Sequence, residues 1–255
     1  MPSVFKVRGP VSCLVLLLNL KLGFSSLPDS SSVLTKTPSQ IKEALLKHKI
    51  IPDLLDDAPT KAIQIEWGEG PHVNFGNVID NNDAIKESPL WVEWEGNDME
   101  VHYAFFMLGL DEPSNNNYSL REYKYWIMVN VEGYNTTVNA GEPLADYLPP
   151  CNLIGTGMHR YVFLVYKQKL KKFKMYRERR LYAKYSDKDR GKFSIKKFAK
   201  KYNLEGPIAV NFFLAEGRFH PKTEPPTTEG ITRVFDPNLA PDEDSDEQHK
   251  RHIYH

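Results

Sequence analysis

The sequence predicts a mainly β domain with two short helices, and two patterns in the chain support this. In several short segments bounded by Gly, Pro, Asn or Asp, apolar and polar residues alternate, as is typical of strands. Four longer segments are apolar almost throughout and rich in Tyr, Phe and Val, which favours strands covered on both faces. The 255-residue chain has 41% hydrophobic and 26% charged residues, so we expect a soluble globular protein with no mature membrane span.

The first 40 residues differ in character from the rest of the chain. Lys6 and Arg8 precede an apolar run over residues 11–20, and small residues follow at Ser25 and Ser26. This layout predicts a secretory signal over residues 1–26 and a flexible lead over 27–40. The lack of acids before Asp29 and the many serines also fit a mitochondrial transit peptide, so a mitochondrial location stays the alternative.

Two N-glycosylation sequons agree with the secretory interpretation. They are Asn117-Tyr118-Ser119 and Asn135-Thr136-Thr137, and both fall in polar stretches typical of turns. We therefore expect glycans at Asn117 and Asn135 in a secreted protein.

The predicted elements follow the lead in order. A helix is expected over residues 39–49 with Ser39 as its cap, and a second over 194–202 with Ser194 as its cap, ended by Gly206-Pro207. Alternating segments predict short strands at residues 62–67, 72–75 and 90–94. Continuous apolar segments predict the inner strands at residues 101–110, 126–131, 159–166 and 208–215. Residues 223–255 lack a core-forming pattern and are expected to be a disordered tail.

One long motif connects this chain to a known family. Residues 155–168, G-T-G-M-H-R-Y-V-F-L-V-Y-K-Q, resemble the phosphatidylethanolamine-binding protein (PEBP) family, whose members carry a G-x-G-x-H-R-Y-V-F-L run. Shorter matches flank it in the family's order, among them Ile51-Pro52-Asp53, Val92-Glu93-Trp94 and the run from Asn211 to Glu216. The resemblance implies one domain, over residues 41–222.

The resemblance also implies an architecture and a function. Family members pack a large antiparallel sheet on a smaller sheet, with a few peripheral helices. They hold a phosphate or a phospholipid headgroup in a shallow pocket, and some regulate kinases or proteases by binding them. We therefore expect a binding protein for a small anionic or weakly polar ligand or a phospholipid headgroup, not an enzyme.

Five residues match the family's pocket positions and are the predicted ligand-binding residues. His159 and Tyr161 stand as the family has them and, being two apart on a strand, point to one face while Arg160 points away. The other three are Asp111, Tyr125 and Phe219.

The pocket departs from the family at four places: Cys151-Asn152-Leu153 stands where the family has Gly-Pro-Pro, Phe219 lacks the hydroxyl common at its position, and two further changes remove polar groups. The family's D-P-D-x-P motif appears as G-L-D-E-P over residues 109–113, so Gly109 replaces its first Asp, and Tyr125 replaces a His. Each lost group removes a hydrogen bond worth about 0.5–1.5 kcal/mol, so phosphate affinity should fall. The exchange is also expected to make the pocket roomier at Gly109 and more aromatic, which favours a less polar ligand.

Catalytic, cofactor and metal sites are not predicted. Cys151 lies near His159 in the sequence, but no third orienting group accompanies them by motif. Cys13 lies in the predicted signal, so Cys151 has no partner for an intrachain disulfide. The tail histidines His249, His252 and His255 have helical spacing, but no acid after Glu247 and no cysteine accompany them.

A basic segment leaves a second class of function open. Residues 167–201 hold sixteen Lys and Arg against three acids, while the whole chain carries no net charge. Such a segment fits either an ordinary solvated face or a surface for a polyanion. The alternatives are therefore an interaction protein with a vestigial pocket, which inhibits a protease or kinase or binds a polyanion, and a PEBP-like protein associated with the mitochondrial ribosome.

Overall fold

The computed structural model describes residues 36–68, 70–79, 85–95, 100–133, 138–150, 154–169, 178–184 and 188–216. Within these residues, three α-helices and seven strands form the fold. The helices are α1 (Pro38–Lys47), α2 (Ile50–Asp53) and α3 (Ile195–Lys201). The strands are β1 (Lys61–Glu66), β2 (Trp91–Trp94), β3 (His102–Gly109), β4 (Tyr123–Glu132), β5 (Glu142–Ala145), β6 (Met158–Gln168) and β7 (Leu204–Glu216). None of the helices among the described residues has the length and apolar character needed to cross a membrane.

The strands lie in the order β2-β1-β7-β6-β3-β4-β5. All neighbours are antiparallel except β1 and β7, which are parallel and pair only at Lys61 and Ala62 of β1. Beyond Ala62, β1 pairs with β2 instead, so these two strands form a small ribbon. The ribbon packs on the large sheet, with the rings of Trp94 and Tyr103 5.3 Å apart. The predicted mainly β fold of a large and a small sheet is confirmed, and the parallel pair is the one departure from the expected antiparallel pattern.

Both faces of the large sheet are buried, because successive side chains of a strand point to opposite faces. In β3, Phe105 and Met107 pack with the β1–β2 ribbon in what we term the ribbon-side core. Their neighbours Phe106 and Leu108 pack under the helices in the helix-side core. All four side chains are fully buried. This confirms the expectation that the continuously apolar segments are strands covered on both faces.

Helix α1 begins earlier in the chain than the sequence predicts. The N-cap is Thr37, not Ser39, because Thr37 and Gln40 form a capping box and Pro38 occupies the first helical position, where a missing N–H costs nothing. Ile41 and Leu45, one turn apart, are fully buried in the helix-side core.

Residues 72–75 were expected to be a strand, and that prediction is wrong. Apart from a single bridge at His72, this segment is a loop. The Asn77 side chain accepts a hydrogen bond from the Asn74 N–H at 2.7 Å, and Phe75 adopts a positive φ of 47°. The backbone N–H of Phe75 donates a hydrogen bond to the side chain of Asn211 in β7 at 2.9 Å. The Asn side chains thus replace the strand partner that an alternating pattern suggests.

Helix α3 is capped twice. Ser194 is the N-cap, as predicted, and its hydroxyl accepts from the Lys197 N–H at 3.4 Å. Glu122, just before β4, accepts from the Ile195 N–H at 2.6 Å. Burial raises the pKa of Glu122 to about 7, against the opposing effects of the Ile195 N–H and of the nearby Lys196 and Arg121.

This pKa predicts a pH-dependent stability. A carboxyl group that binds its proton more tightly in the folded state stabilises the fold most below about pH 4.5, and that contribution is lost as the pH rises through about 7. The substitution Glu122→Gln keeps an acceptor for Ile195 and removes the charge. As the pH rises from 4.5 to 7.5, we expect the unfolding free energy of the variant minus that of the wild type to increase by about 1–3 kcal/mol, measured by urea denaturation. Glu43→Gln, at an exposed position on α1, is the matched control, and equal pH slopes for all three proteins would contradict the prediction.

Candidate functional site

The motif strand β6 carries the two predicted ligand-binding residues that match the family. His159 and Tyr161 lie on the ribbon side of the sheet and are 1% and 0% exposed, while Arg160 lies on the helix side. The ring of Tyr161 stacks on Phe213 of β7 at 4.9 Å. The predicted separation of His159 and Tyr161 from Arg160 agrees with this geometry, but their access from solvent is far smaller than a shallow pocket requires.

Tyr125 joins this cluster and fills the space next to Gly109. A Cβ atom on Gly109 would lie 2.6 Å from Cε2 of Tyr125, so the tyrosine ring lies directly against the glycine backbone. Tyr125 is 4% exposed, and its ring meets that of Tyr161 edge to face at 4.9 Å. The expectation of a roomier pocket at Gly109 is therefore wrong, because the ring of Tyr125 occupies the space beside the Gly109 backbone.

A residue that the sequence analysis did not select, Glu112, completes the cluster. Its Oε1 accepts a hydrogen bond from the Tyr125 hydroxyl at 2.6 Å and lies 3.3 Å from Nδ1 of His159. The other ring nitrogen of His159, Nε2, lies 2.8 Å from the hydroxyl of Thr156. Glu112 is buried to 9% exposure, and burial, followed by the charge of Glu112, raises the pKa of Tyr125 well above its ordinary value. The Tyr125 hydroxyl and Nδ1 of His159 thus both face a carboxylate of the protein itself.

Asp111, the neighbour of Glu112, lies in a different environment. Its Oδ2 accepts from the backbone N–H and the Nε of Arg160 at 2.9 and 2.8 Å, and its Oδ1 from Nη2 of Arg160 at 2.7 Å. Arg121 adds a second cation at 3.3 Å, and Asp53 of α2 contacts both arginines at 3.0 and 3.2 Å. Burial by itself would raise the pKa of Asp111, but the bonds and charge of Arg160 outweigh it and lower that pKa.

This four-residue ion cluster, formed by Asp53, Asp111, Arg121 and Arg160, joins the helices to the sheet. Arg160 also donates to the carbonyls of His48 and Lys49 at 2.9 and 3.1 Å, at the junction of α1 and α2. The structure therefore does not bring Asp111 together with His159 and Tyr161, although we had expected all three in one pocket. Its position on the helix side gives it a structural role.

The other sequence-derived sites divide between described and undescribed parts of the chain. Asn117 is exposed in the turn 114–117, a position open to a glycan. Phe219, Asn135, Cys151, the predicted signal and the tail lie outside the described residues. In the part of the chain that is described, no group of three or more His, Cys, Asp or Glu side chains is arranged to hold a metal ion.

Several cations of the basic segment are already paired. Ion pairs join Arg180 to Asp146, Lys196 to Asp56, Lys201 to Glu178 and Arg179 to Asp189. Arg190 is fully buried and donates to the backbone carbonyls of Lys124, Asp146 and Tyr182. The contacts of Arg180 and Arg190 join the segment to β4 and to the end of β5, and the pairs of Arg179 and Lys201 lie within the segment. Part of its charge therefore stabilises the fold.

Comparison with known proteins agrees with this fold and motif. The sequence profile of the family "Phosphatidylethanolamine-binding protein" matches residues 69–213, more than half of the chain. The protein therefore belongs to the phosphatidylethanolamine-binding protein family, as the H-R-Y run suggested.

Individual relatives are similar over most of their length. The chain is 27% identical over 194 residues to "Putative odorant-binding protein A5" of Drosophila melanogaster, covering 76% of this chain and 87% of the relative. Carboxypeptidase Y inhibitor, solved in complex with its cognate proteinase, superposes with a TM-score of 0.59 at 22% identity, covering 71% of this chain and 97% of the inhibitor. A phosphatidylethanolamine-binding protein from Plasmodium vivax gives a TM-score of 0.58 at 22% identity, covering 69% and 97% of the two chains. These two structures show a shared fold.

The ion cluster predicts a large stability cost for a small change. Asp111→Asn removes one charge from a buried set and leaves its arginines underpaired, so we expect a loss of about 3–5 kcal/mol in unfolding free energy. Asp57→Asn, which breaks an exposed pair with Lys42, is the matched control and should leave stability nearly unchanged. Guanidinium denaturation followed by circular dichroism measures both, and equal midpoints for the two variants would rule out a stabilising cluster.

Proposed function

We propose that this protein is a non-enzymatic member of the family that binds a small, uncharged organic ligand and has lost the family's affinity for phosphate. The observation that carries the proposal is the position of Glu112. Its carboxylate, bonded to Tyr125 and close to His159, takes the hydrogen bonds that a bound anion would receive.

Electrostatics gives the size of this effect. Two unit negative charges 4 Å apart repel by about 4 kcal/mol at an effective dielectric constant of 20, which is roughly a thousandfold in affinity. A phosphate that approached His159 would meet this repulsion from Glu112 unless the side chain moved away. Displacing the carboxylate would in turn leave it without the bond from the Tyr125 hydroxyl.

Two further observations support a binding protein that works outside the cell. The Drosophila relative is named as an odorant-binding protein, and odorants are small and weakly polar. The predicted signal over residues 1–26 and the exposed sequon at Asn117 fit a secretory route. The polyanion alternative has less support, because several described cations of the basic segment are bonded within the protein.

The ligand class can be tested directly. We expect isothermal titration calorimetry at pH 7.4 to show no binding of inorganic phosphate or phosphoethanolamine at millimolar concentration. N-phenyl-1-naphthylamine, an uncharged aromatic probe that fluoresces in apolar surroundings, should bind with micromolar affinity. Native mass spectrometry of the secreted protein should show a co-purified neutral molecule. Tight phosphate binding, or no binding of the neutral probe, would contradict the proposal.

Removal of the internal carboxylate should restore an anion site. In Glu112→Ala the Tyr125 hydroxyl and the His159 imidazole become free to donate, and the repulsion is gone, so phosphate affinity should rise at least tenfold. Glu43→Ala removes the same charge from the exposed face of α1 and should not change phosphate binding. The gain should disappear in the double variant Glu112→Ala, His159→Ala. Isothermal titration calorimetry with inorganic phosphate distinguishes these outcomes in all variants, and an unchanged affinity in Glu112→Ala would refute the blocking role.

A further inference from the structure

A groove of about 540 Å³ opens on the helix side of the fold, between the loop after α2, helix α3 and the first residues of β7. We call it the α3 groove. Its lining combines the apolar residues Leu54, Leu55, Ala58, Pro59, Ala199 and Pro207 with the polar or charged residues Asp56, Asp57, Lys196 and Tyr166. A volume of this size lies within the range of small-molecule sites, which are typically concave and apolar with a few polar groups.

The α3 groove is separate from the cluster around His159. Tyr166, which lines the groove, lies seven residues further along β6, and a strand rises about 3.4 Å per residue. The two residues are therefore about 24 Å apart along the strand. They also lie on opposite faces, because Tyr166 belongs to the helix-side core and His159 precedes Tyr161 of the ribbon-side core by two positions.

The charges at the rim of the groove are paired and favour neither an anion nor a cation. Lys196 of α3 contacts Asp56 across the groove at 2.6 Å, and Asp57 is bonded to Lys42 of α1 at 3.0 Å. These pairs balance the charge at the rim, so a ligand of either sign gains no net attraction there. The rim is thus suited to a molecule without net charge.

Tyr166 lines the groove beside Gly206. Its ring is held edge to face against Phe106 at 5.7 Å, and its hydroxyl has no hydrogen-bond partner among the described residues. Burial, followed by the charge of Glu122, raises the pKa of Tyr166, so the hydroxyl stays protonated and can donate to a ligand oxygen. Such a donor favours a ligand that carries a hydrogen-bond acceptor.

A second depression, of about 420 Å³, adjoins the α3 groove and shares Ala58, Pro59 and Pro207 with it. Its lining is also mixed, since Lys61, Glu95 and Glu205 contribute to it while the shared residues are apolar. The two spaces together present apolar and polar surface side by side. This arrangement matches an amphiphilic molecule with an apolar body and one polar end.

We propose that the α3 groove is the binding site for a small uncharged amphiphile, held by its apolar walls and by a hydrogen bond from the Tyr166 hydroxyl. This inference rests on the proposed function and assigns its ligand to a site at the far end of the sheet from His159. The family's motif strand thereby contributes to ligand binding through its other face.

Fluorescence titration with N-phenyl-1-naphthylamine tests the site, using three variants of the full chain. Ala199→Trp fills the groove and should weaken probe binding at least tenfold. Lys200→Trp places the same side chain at the neighbouring exposed position of α3 and should bind as the wild type does. For an oxygen-containing neutral amphiphile such as decanol, measured by displacement of the probe, Tyr166→Phe should weaken binding about 2- to 12-fold while leaving the probe itself little changed.

The outcomes separate the location of the site from the proposed function. The α3 groove is the wrong site if folded Ala199→Trp binds the probe as well as the wild type does and Tyr166→Phe binds decanol unchanged. The proposal that the protein binds a neutral ligand would not be affected by that result. A wild type that binds no probe would overturn the proposed function together with the groove. Thermal unfolding shows whether Ala199→Trp is folded, and Tyr166→Phe tests the groove independently because the hydroxyl makes no bond within the described protein.

Discussion

The burial of β6 on both faces is the constraint on which the rest of the structure depends. Every second side chain of this strand must fit the ribbon-side core, and the ones between must fit the helix-side core. A shift of one residue would place Arg160 among the aromatic rings of the ribbon-side core and Tyr161 in the position of the arginine on the helix side. The same alternation places His159 against Glu112 on one face and Tyr166 in the α3 groove on the other.

Two neighbouring acids, Asp111 and Glu112, lie on opposite sides of the sheet under this constraint. Asp111 turns to the helix side and pairs with Arg160, which ties α1 and α2 to the sheet. Glu112 turns to the ribbon side and bonds with Tyr125. One carboxylate pairs with arginines, and in the proposed function the other takes the place of a bound anion. Under that proposal, loss of an anionic ligand does not weaken the fold, because the protein supplies its own carboxylate to the buried donors.

The sequence allowed most of the fold to be predicted, because apolar periodicity depends only on local order along the chain. The four inner strands, the Ser194 cap and the separation of His159 from Arg160 all follow from that periodicity. The failed strand at residues 72–75 is informative, since its backbone partner is the side chain of Asn211, which lies 136 positions away. No local pattern reports such a contact.

The candidate site was predicted less completely, for a similar reason. The motif correctly indicated His159, Tyr161 and Tyr125 as neighbours, but a list of matched positions treats each replacement separately. In the fold, positions 109 and 125 depend on each other, because the ring of Tyr125 lies against the Gly109 backbone and leaves no space for a side chain there. The sequence did contain a signal for Glu112, because this acid lies three residues after Gly109, which replaces the first Asp of the family's motif.

The sequence by itself determined the family, the strands and the residues that distinguish this pocket from its relatives, because these depend on residue identity and spacing. Only the tertiary structure decided which carboxylate faces which partner, that the space beside Gly109 is filled, and that an open groove lies on the opposite face near Tyr166. Those features depend on volumes and distances between segments far apart in the chain. The packing of the whole domain sets them, and no single segment contains that information.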